Sequence, residues 1–147
     1  MKYAGAGSFQ RNRPLLSFAA GYAGRMADYS FRIATQDDIQ AITDIYNAAV
    51  IRGGSSADTT PRTYAQRKAW VESHHDPYAV FVTTVPATDA ATEGGERIIG
   101  FSALSVFYDR AGYDGVTDLA YYIAPEWQGR GAGTFTLAKL LDECRNR

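Results

Sequence analysis

The sequence predicts an α/β fold with an α+β type of mixed sheet, its elements ordered strand, helix, helix, strand, strand, strand, helix. Three observations carry this expectation. Ile39, Ile42, Ile45, Tyr46, Ala49 and Val50 follow a 3.6-residue period. Residues 79–85, 98–107 and 116–124 are rich in the β-branched and aromatic side chains that suit strands. A glycine-rich turn then leads into 135–145, where Leu137, Leu140, Leu141 and Cys144 fall on one face of a helix.

Taken in order, Phe31-Arg32-Ile33 is a short first strand. Thr35, with Asp38 three residues on, makes a variant of the capping box, and Asp37 and Asp38 complement the dipole of the helix they open. Residues 52–61 form a turn-rich loop. Thr63 opens a second helix with Gln66 in the box position, running through Trp70 to about His74. The strand over 79–85 is followed by a long hairpin loop, Pro86 to Gly95, and the next strand pairs back over 98–107. Gly100 inside that strand marks a bulge or a small-residue packing contact. Tyr108 to Gly115 is a second polar loop, and the strand over 116–124 stops at Pro125.

A chain of 147 residues is one domain at most. Its formal net charge is −1, with no basic run and no alternation of basic and aromatic residues, which argues against a nucleic-acid partner. Cys144 is the single cysteine, so an intrachain disulfide and a cysteine metal cluster are excluded. On an apolar helix face it reads as a small buried hydrophobe rather than a nucleophile. His74-His75 reads as a helix stop before Asp76-Pro77, not as a ligand pair, and no metal site is expected. No apolar run approaches the ~18 residues that span a bilayer, so no membrane partner is expected. Met1 to Ala27 holds no acid, while Lys2, Arg11, Arg13 and Arg25 are basic and 15–23 is a short apolar stretch. That faintly imitates a targeting segment. The reading adopted is a tail over 1–29 without catalytic role, preceding a domain over 30–147.

The stretch Tyr121-Tyr122-Ile123-Ala124-Pro125-Glu126-Trp127-Gln128-Gly129-Arg130-Gly131-Ala132-Gly133-Thr134 carries the chemistry. Strand, glycine-rich turn and helix together bind phosphate, because glycines let backbone N–H groups approach an anion and the helix N-terminus adds partial positive charge. No Gly-Lys-Ser/Thr follows, and Gly129, Gly131 and Gly133 do not fit G-x-G-x-x-G, so neither common nucleotide fingerprint applies. Gln128 to Gly133 does match Q/R-x-x-G-x-G/A. In this setting it resembles the acetyl-CoA loop of the GNAT superfamily of N-acetyltransferases, most closely its phosphinothricin acetyltransferase-like branch. Phe31-Arg32-Ile33-Ala34-Thr35, Ile45-Tyr46-Asn47 and Arg67-Lys68-Ala69-Trp70 resemble the same branch, so the likeness runs from about Phe31 to the end. It implies a partial GNAT fold with the C-terminal third missing.

The resemblance implies transfer of acetyl from acetyl-CoA directly to the amino group of a small molecule, an amino acid or an analogue such as phosphinothricin or methionine sulfoximine. It implies pyrophosphate binding by the turn, with Gln128, Gly129, Arg130, Gly131, Ala132, Gly133 and Thr134 as cofactor residues. Tyr122 and Ile123, at the strand end, stand where the family's backbone pairs with the pantetheine arm. Asp118 falls where the branch carries a glutamate, so Asp118, acting through a water, and the Tyr122 hydroxyl are the catalytic candidates. A strand-edge aspartate bonding its own loop is the plainer alternative for Asp118. By alternation only one of Tyr121 and Tyr122 is expected to face a pocket. The loop around Ala57 to Pro61 is either a wall of the acceptor pocket or a solvated connection; it lacks the aromatic and glutamate usual in the branch. A cytoplasmic chain, compatible with a homodimer, completes the expectation. The rival reading is an inactive acetyl-CoA-binding fragment.

Overall fold

The computed structural model describes residues 28–87 and 95–147. The expectation for residues 1–27, and most of the Pro86–Gly95 loop, lie outside the described residues. Strands β1 (Ser30–Ile33), β2 (Ala79–Pro86), β3 (Glu96–Val106) and β4 (Thr117–Ile123) form one sheet in the order β1-β2-β3-β4. Helices α1 (Ile39–Arg52) and α2 (Tyr64–Glu72) separate β1 from β2, and α3 (Ala132–Asn146) follows β4. The expected α/β element order is present, and every pairing in the described sheet is antiparallel.

Helices cover both faces. On one face, Ile42, Ile45, Tyr46 and Val50 of α1 pack on Val80, Val82, Phe101 and Ala103, with Trp70 and Val71 of α2 beside them. On the other, Leu140 and Cys144 of α3 pack with Ala79, Phe81, Leu104 and Phe31. Covering both faces explains why β2 is buried from Ala79 through Val85 with no alternation of buried and exposed residues.

The helix starts follow their capping chemistry. The Asp38 carboxylate accepts from the Thr35 N–H at 2.6 Å and from its hydroxyl at 3.0 Å. Thr63 accepts from the Gln66 N–H at 3.2 Å while Gln66 accepts from the Thr63 N–H at 2.9 Å, a complete capping box. His74 behaves as a helix stop: its Nδ1 lies 2.8 Å from the Trp70 carbonyl and its Nε2 2.9 Å from the Ser105 hydroxyl.

One expected face is rotated. In α3 the buried line is Ala132, Thr136 and Leu140, whereas Leu137, Leu141 and Cys144 are half-buried. The cause is polar. The Thr136 hydroxyl pairs with that of Thr83 on β2 at 2.6 Å, both side chains being fully buried, so a polar residue takes the place expected for a leucine.

Candidate functional site

The site forms where β4 ends and α3 begins. Pro125–Trp127 makes one 3-10 turn, and the chain reverses through Gly129 at φ +73° and Gly131 at φ +88°. Gly131 is the residue on which α3 starts, and the Phe135 N–H donates to its carbonyl at 3.0 Å. L-residues avoid such φ values, so glycine is required at both places. A Cβ at either would point into open space, with nothing within 4 Å. Gly133 differs. Its φ is not positive, and a Cβ there would make ordinary contacts with Tyr121 at 3.7 Å and Ile123 at 3.9 Å. None of the amides from Gly129 to Thr134 meets a protein acceptor among the described residues. They are donors gathered at a helix N-terminus, which is what an anionic phosphate needs.

Side chains fix this turn from three directions. Gln128 spends both ends on protein: its Nε2 donates to the Ile123 carbonyl at 2.9 Å, and its Oε1 accepts from Arg52 at 2.7 Å. The Tyr29 hydroxyl donates to the Arg130 carbonyl at 2.9 Å. The Arg130 guanidinium lies over the Trp127 ring, 5.2 Å from its centroid. Gln128 therefore positions the turn, while Arg52 and Arg130 leave positive charge beside it.

A cleft of about 320 Å³ runs along β4 to the turn, lined by Ala49, Arg52, Ser55, Tyr121, Tyr122, Ile123, Gln128, Gly129 and Gly133. Backbone groups in an antiparallel ladder alternate between the two edges of a strand. The Ala124 N–H donates to the Ile99 carbonyl at 2.8 Å, and the Ile123 carbonyl is turned out to Gln128. Ile123 and Tyr121 thus direct their backbone outward, whereas the backbone of Tyr122 faces β3. Tyr122 contributes its side chain. It stacks on Phe101 with centroids 5.2 Å apart, and its hydroxyl donates to the Ser55 carbonyl at 3.3 Å. Burial, with Tyr46 as the next contribution, raises the pKa of the Tyr122 phenol, so it stays protonated at neutral pH. Alternation does place Tyr121 and Tyr122 on opposite faces, yet both line the cleft. β4 lies at the edge of the described sheet, and the cleft wraps around that edge.

Asp118 is placed apart from this group. It is exposed, pairs in register with Ser105, and does not line the cleft. It shares a face with Tyr122, four residues further along the strand, or about 13 Å. Within the loop from Ala57 to Pro61, Asp58 is drawn inward, accepting from the Tyr46 hydroxyl at 2.5 Å and from Arg62 Nε at 2.7 Å. Arg62 first, and Tyr46 second, hold the Asp58 pKa down at about 2. The cleft residues that sequence reasoning missed are Ala49, Arg52 and Ser55. Arg52, the basic residue in the last turn of α1, was the one legible signal among them.

The model of the acetyltransferase (GNAT) family matches residues 39–147, most of the chain and all of the turn. The chain belongs to the GNAT acetyltransferase family. It is 31% identical over 118 residues to an N-acetyltransferase of Streptomyces griseus, covering 79% of this chain and 59% of that protein. It is equally identical over 118 residues to the phosphinothricin N-acetyltransferase of Streptomyces coelicolor, covering 79% and 65%. The crystal structure of a GNAT superfamily phosphinothricin acetyltransferase from Sinorhizobium meliloti, in complex with acetyl-CoA, superposes with a TM-score of 0.64. That match has 27% identity and covers 79% of this chain and 59% of the other. The GNAT chain described here thus spans about three-fifths to two-thirds of the length of these relatives. Among its described residues, no group of three or more His, Cys, Asp or Glu side chains could hold a metal ion, and no helix is long and apolar enough to cross a membrane.

Proposed function

We propose that this chain transfers acetyl from acetyl-CoA to the amino group of a small molecule, an amino acid or an analogue of the phosphinothricin or methionine sulfoximine type. The observation that carries the reading is the set of uncommitted amides from Gly129 to Thr134 at the start of α3, with open space above Gly129 and Gly131. Acetyl-CoA, when bound, supplies the acyl group as an activated thioester. The turn amides hold its phosphates, and Arg52 and Arg130 add charge at the margin. The outward N–H groups of Ile123 and Tyr121 offer donors along the β4 edge where a carbonyl oxygen gains charge. Tyr122 presents a protonated phenol on the cleft wall. Asp118, on the same face but about 13 Å from Tyr122, takes the proton of the acceptor amine through a chain of waters. The amine nitrogen forms the new amide bond as the thioester C–S bond breaks, without an acyl-enzyme, and CoA leaves as the thiol, its proton balancing the one the amine gives up. The homologous names support the acceptor class.

The test is calorimetric titration of acetyl-CoA into the 147-residue chain, followed by a thiol-release assay over a panel of amino acids and analogues. Micromolar binding and turnover that falls at least ~10-fold in Asp118→Asn would support the reading. Binding without turnover for any acceptor would reduce the chain to an acetyl-CoA-binding module. A folded chain that does not bind acetyl-CoA would remove the proposal altogether.

A further inference from the structure

Beneath α2 lies a second cavity of about 370 Å³, lined by Tyr46, Asp58, Arg62, Gln66, Arg67 and Trp70. Arg67 is its unusual member. The residue is only 6% exposed, and its guanidinium carbon sits 3.9 Å from the centroid of the Tyr46 ring and 4.6 Å from that of Trp70. Its Nε is buried and meets no acceptor among the described residues. Asp58, the one carboxylate lining the cavity, is already committed. Arg62 engages both of its oxygens, and the Tyr46 hydroxyl shares Oδ2. Two guanidinium groups therefore face one carboxylate, and the inner one feels Asp58 only through space, with no carboxylate hydrogen-bonded to it among the described residues.

Burying a cation without a partner is costly, and burial lowers the Arg67 pKa from its ordinary value. A fold tolerates this where a ligand completes the pair. We infer that this cavity is an anion subsite in which Arg67 receives the carboxylate of the acceptor molecule. The inference deepens the acetyl-transfer reading and rests on it for the ligand's role as acceptor. The two aromatic faces hold the guanidinium plane in place, so its planar fork is presented ready for two-point contact with a carboxylate. The donor's phosphates are served elsewhere, at the glycine turn. The cavity adjoins that cleft: Tyr46, which lines the cavity, stands edge-on to Tyr122, which lines the cleft, at a centroid distance of 5.2 Å. A molecule anchored by its carboxylate at Arg67 would extend past Tyr46 toward Tyr122 and the cleft in which the acetyl group is delivered.

The experiment titrates the full 147-residue chain with a panel of L-amino acids and the matching L-amino acid amides, which lack the negative charge. At least one acid should bind about 10- to 100-fold more tightly than its amide, the span of a charge-assisted pair. Arg67→Met should erase that gap and leave acetyl-CoA affinity unchanged, while Arg67→Lys should keep part of it. A merely structural Arg67 would shift acid and amide equally. The inference is overturned if no acid is preferred by more than about 3-fold, or if the preference survives in Arg67→Met. Should Arg67→Met not fold, a Trp127→Phe chain decides, because its remaining tryptophan, Trp70, lies against the guanidinium. Its emission should respond to acids and not to amides; response to both or to neither overturns the subsite. Acid-selective binding without acetyl transfer would keep the subsite and remove the enzymatic reading. Equal transfer to acids and amides would do the reverse.

Discussion

Substitution of Gly131 separates backbone strain from ligand electrostatics. Gly131 holds φ at +88° and ψ at −7°, and a Cβ there meets no atom within 4 Å. Gly131→Ala therefore carries no clash, only the cost of a left-handed conformation for an L-residue, about 1–2 kcal/mol. For a chain of this size that lowers Tm by about 3–8 °C. Gly131→Glu carries the same backbone cost and adds a carboxylate over the turn. One such charge about 5 Å from a phosphate charge costs about 0.8 kcal/mol in water and about 3 kcal/mol at an effective dielectric of 20. Acetyl-CoA affinity in Gly131→Glu should fall about 4- to 250-fold below that of Gly131→Ala, at similar Tm. Gly133→Ala is the control. Its Cβ makes ordinary contacts and its φ is not positive, so stability should hold. The assay is calorimetric titration of acetyl-CoA beside thermal melting of all three variants. Gly131→Glu binding as tightly as Gly131→Ala would refute the placement of phosphates at this turn.

Three further outcomes follow from the packing. Thr83→Val or Thr136→Val alone strands a fully buried hydroxyl and should cost about 1–3 kcal/mol, whereas the double variant should recover most of it; a denaturant-based double-mutant cycle with no coupling would sink the pairing. Gly100→Ala would place Cβ 2.6 Å from Ile123 Cδ1 and 2.9 Å from the Tyr122 carbonyl, so β4 must shift at a cost of about 1–3 kcal/mol. Ile123→Val should not rescue it, because the backbone contact remains, and acetyl-CoA binding should weaken together with stability. Burial pushes the Asp38 carboxyl up, but its hydrogen bonds to Arg32 and Thr35 outweigh this, and its pKa ends below the ordinary value. A depressed carboxylate contributes stability above its unfolded pKa, about 3.9, and loses it as pH falls toward the folded value. Denaturant melts from pH 6 to pH 2.5 should therefore show a decline below about pH 4 that flattens in Asp38→Asn; an unchanged slope would contradict the assignment.

Much of the fold was legible because its signals are local. The period of Ile39 to Val50, the boxes at Thr35–Asp38 and Thr63–Gln66, and the stop at His74 all act within about one helical turn. Gly100 offered two readings, and the structure contains both. The β2–β3 register shifts beside it, between Thr83 and Thr84, and its missing side chain makes room for Ile123. Arg67 was legible only as part of R-x-x-W, since nothing in its neighbours announces that a charged residue is buried.

The sequence by itself determined the order of elements, the helix caps and the need for glycine at the turn, because backbone conformation and capping depend on residues a few positions apart. Tertiary structure decided which face of α3 is buried, since Thr136 finds its partner 53 residues away on β2. It decided that Tyr121 and Tyr122 share a cleft, since that follows from β4 lying at the edge of the described sheet. It also left Arg67 without a hydrogen-bonded carboxylate among the described residues, because Arg62 reaches Asp58 first. Each of these depends on burial and on pairing between distant segments, and the physics of a local window carries neither.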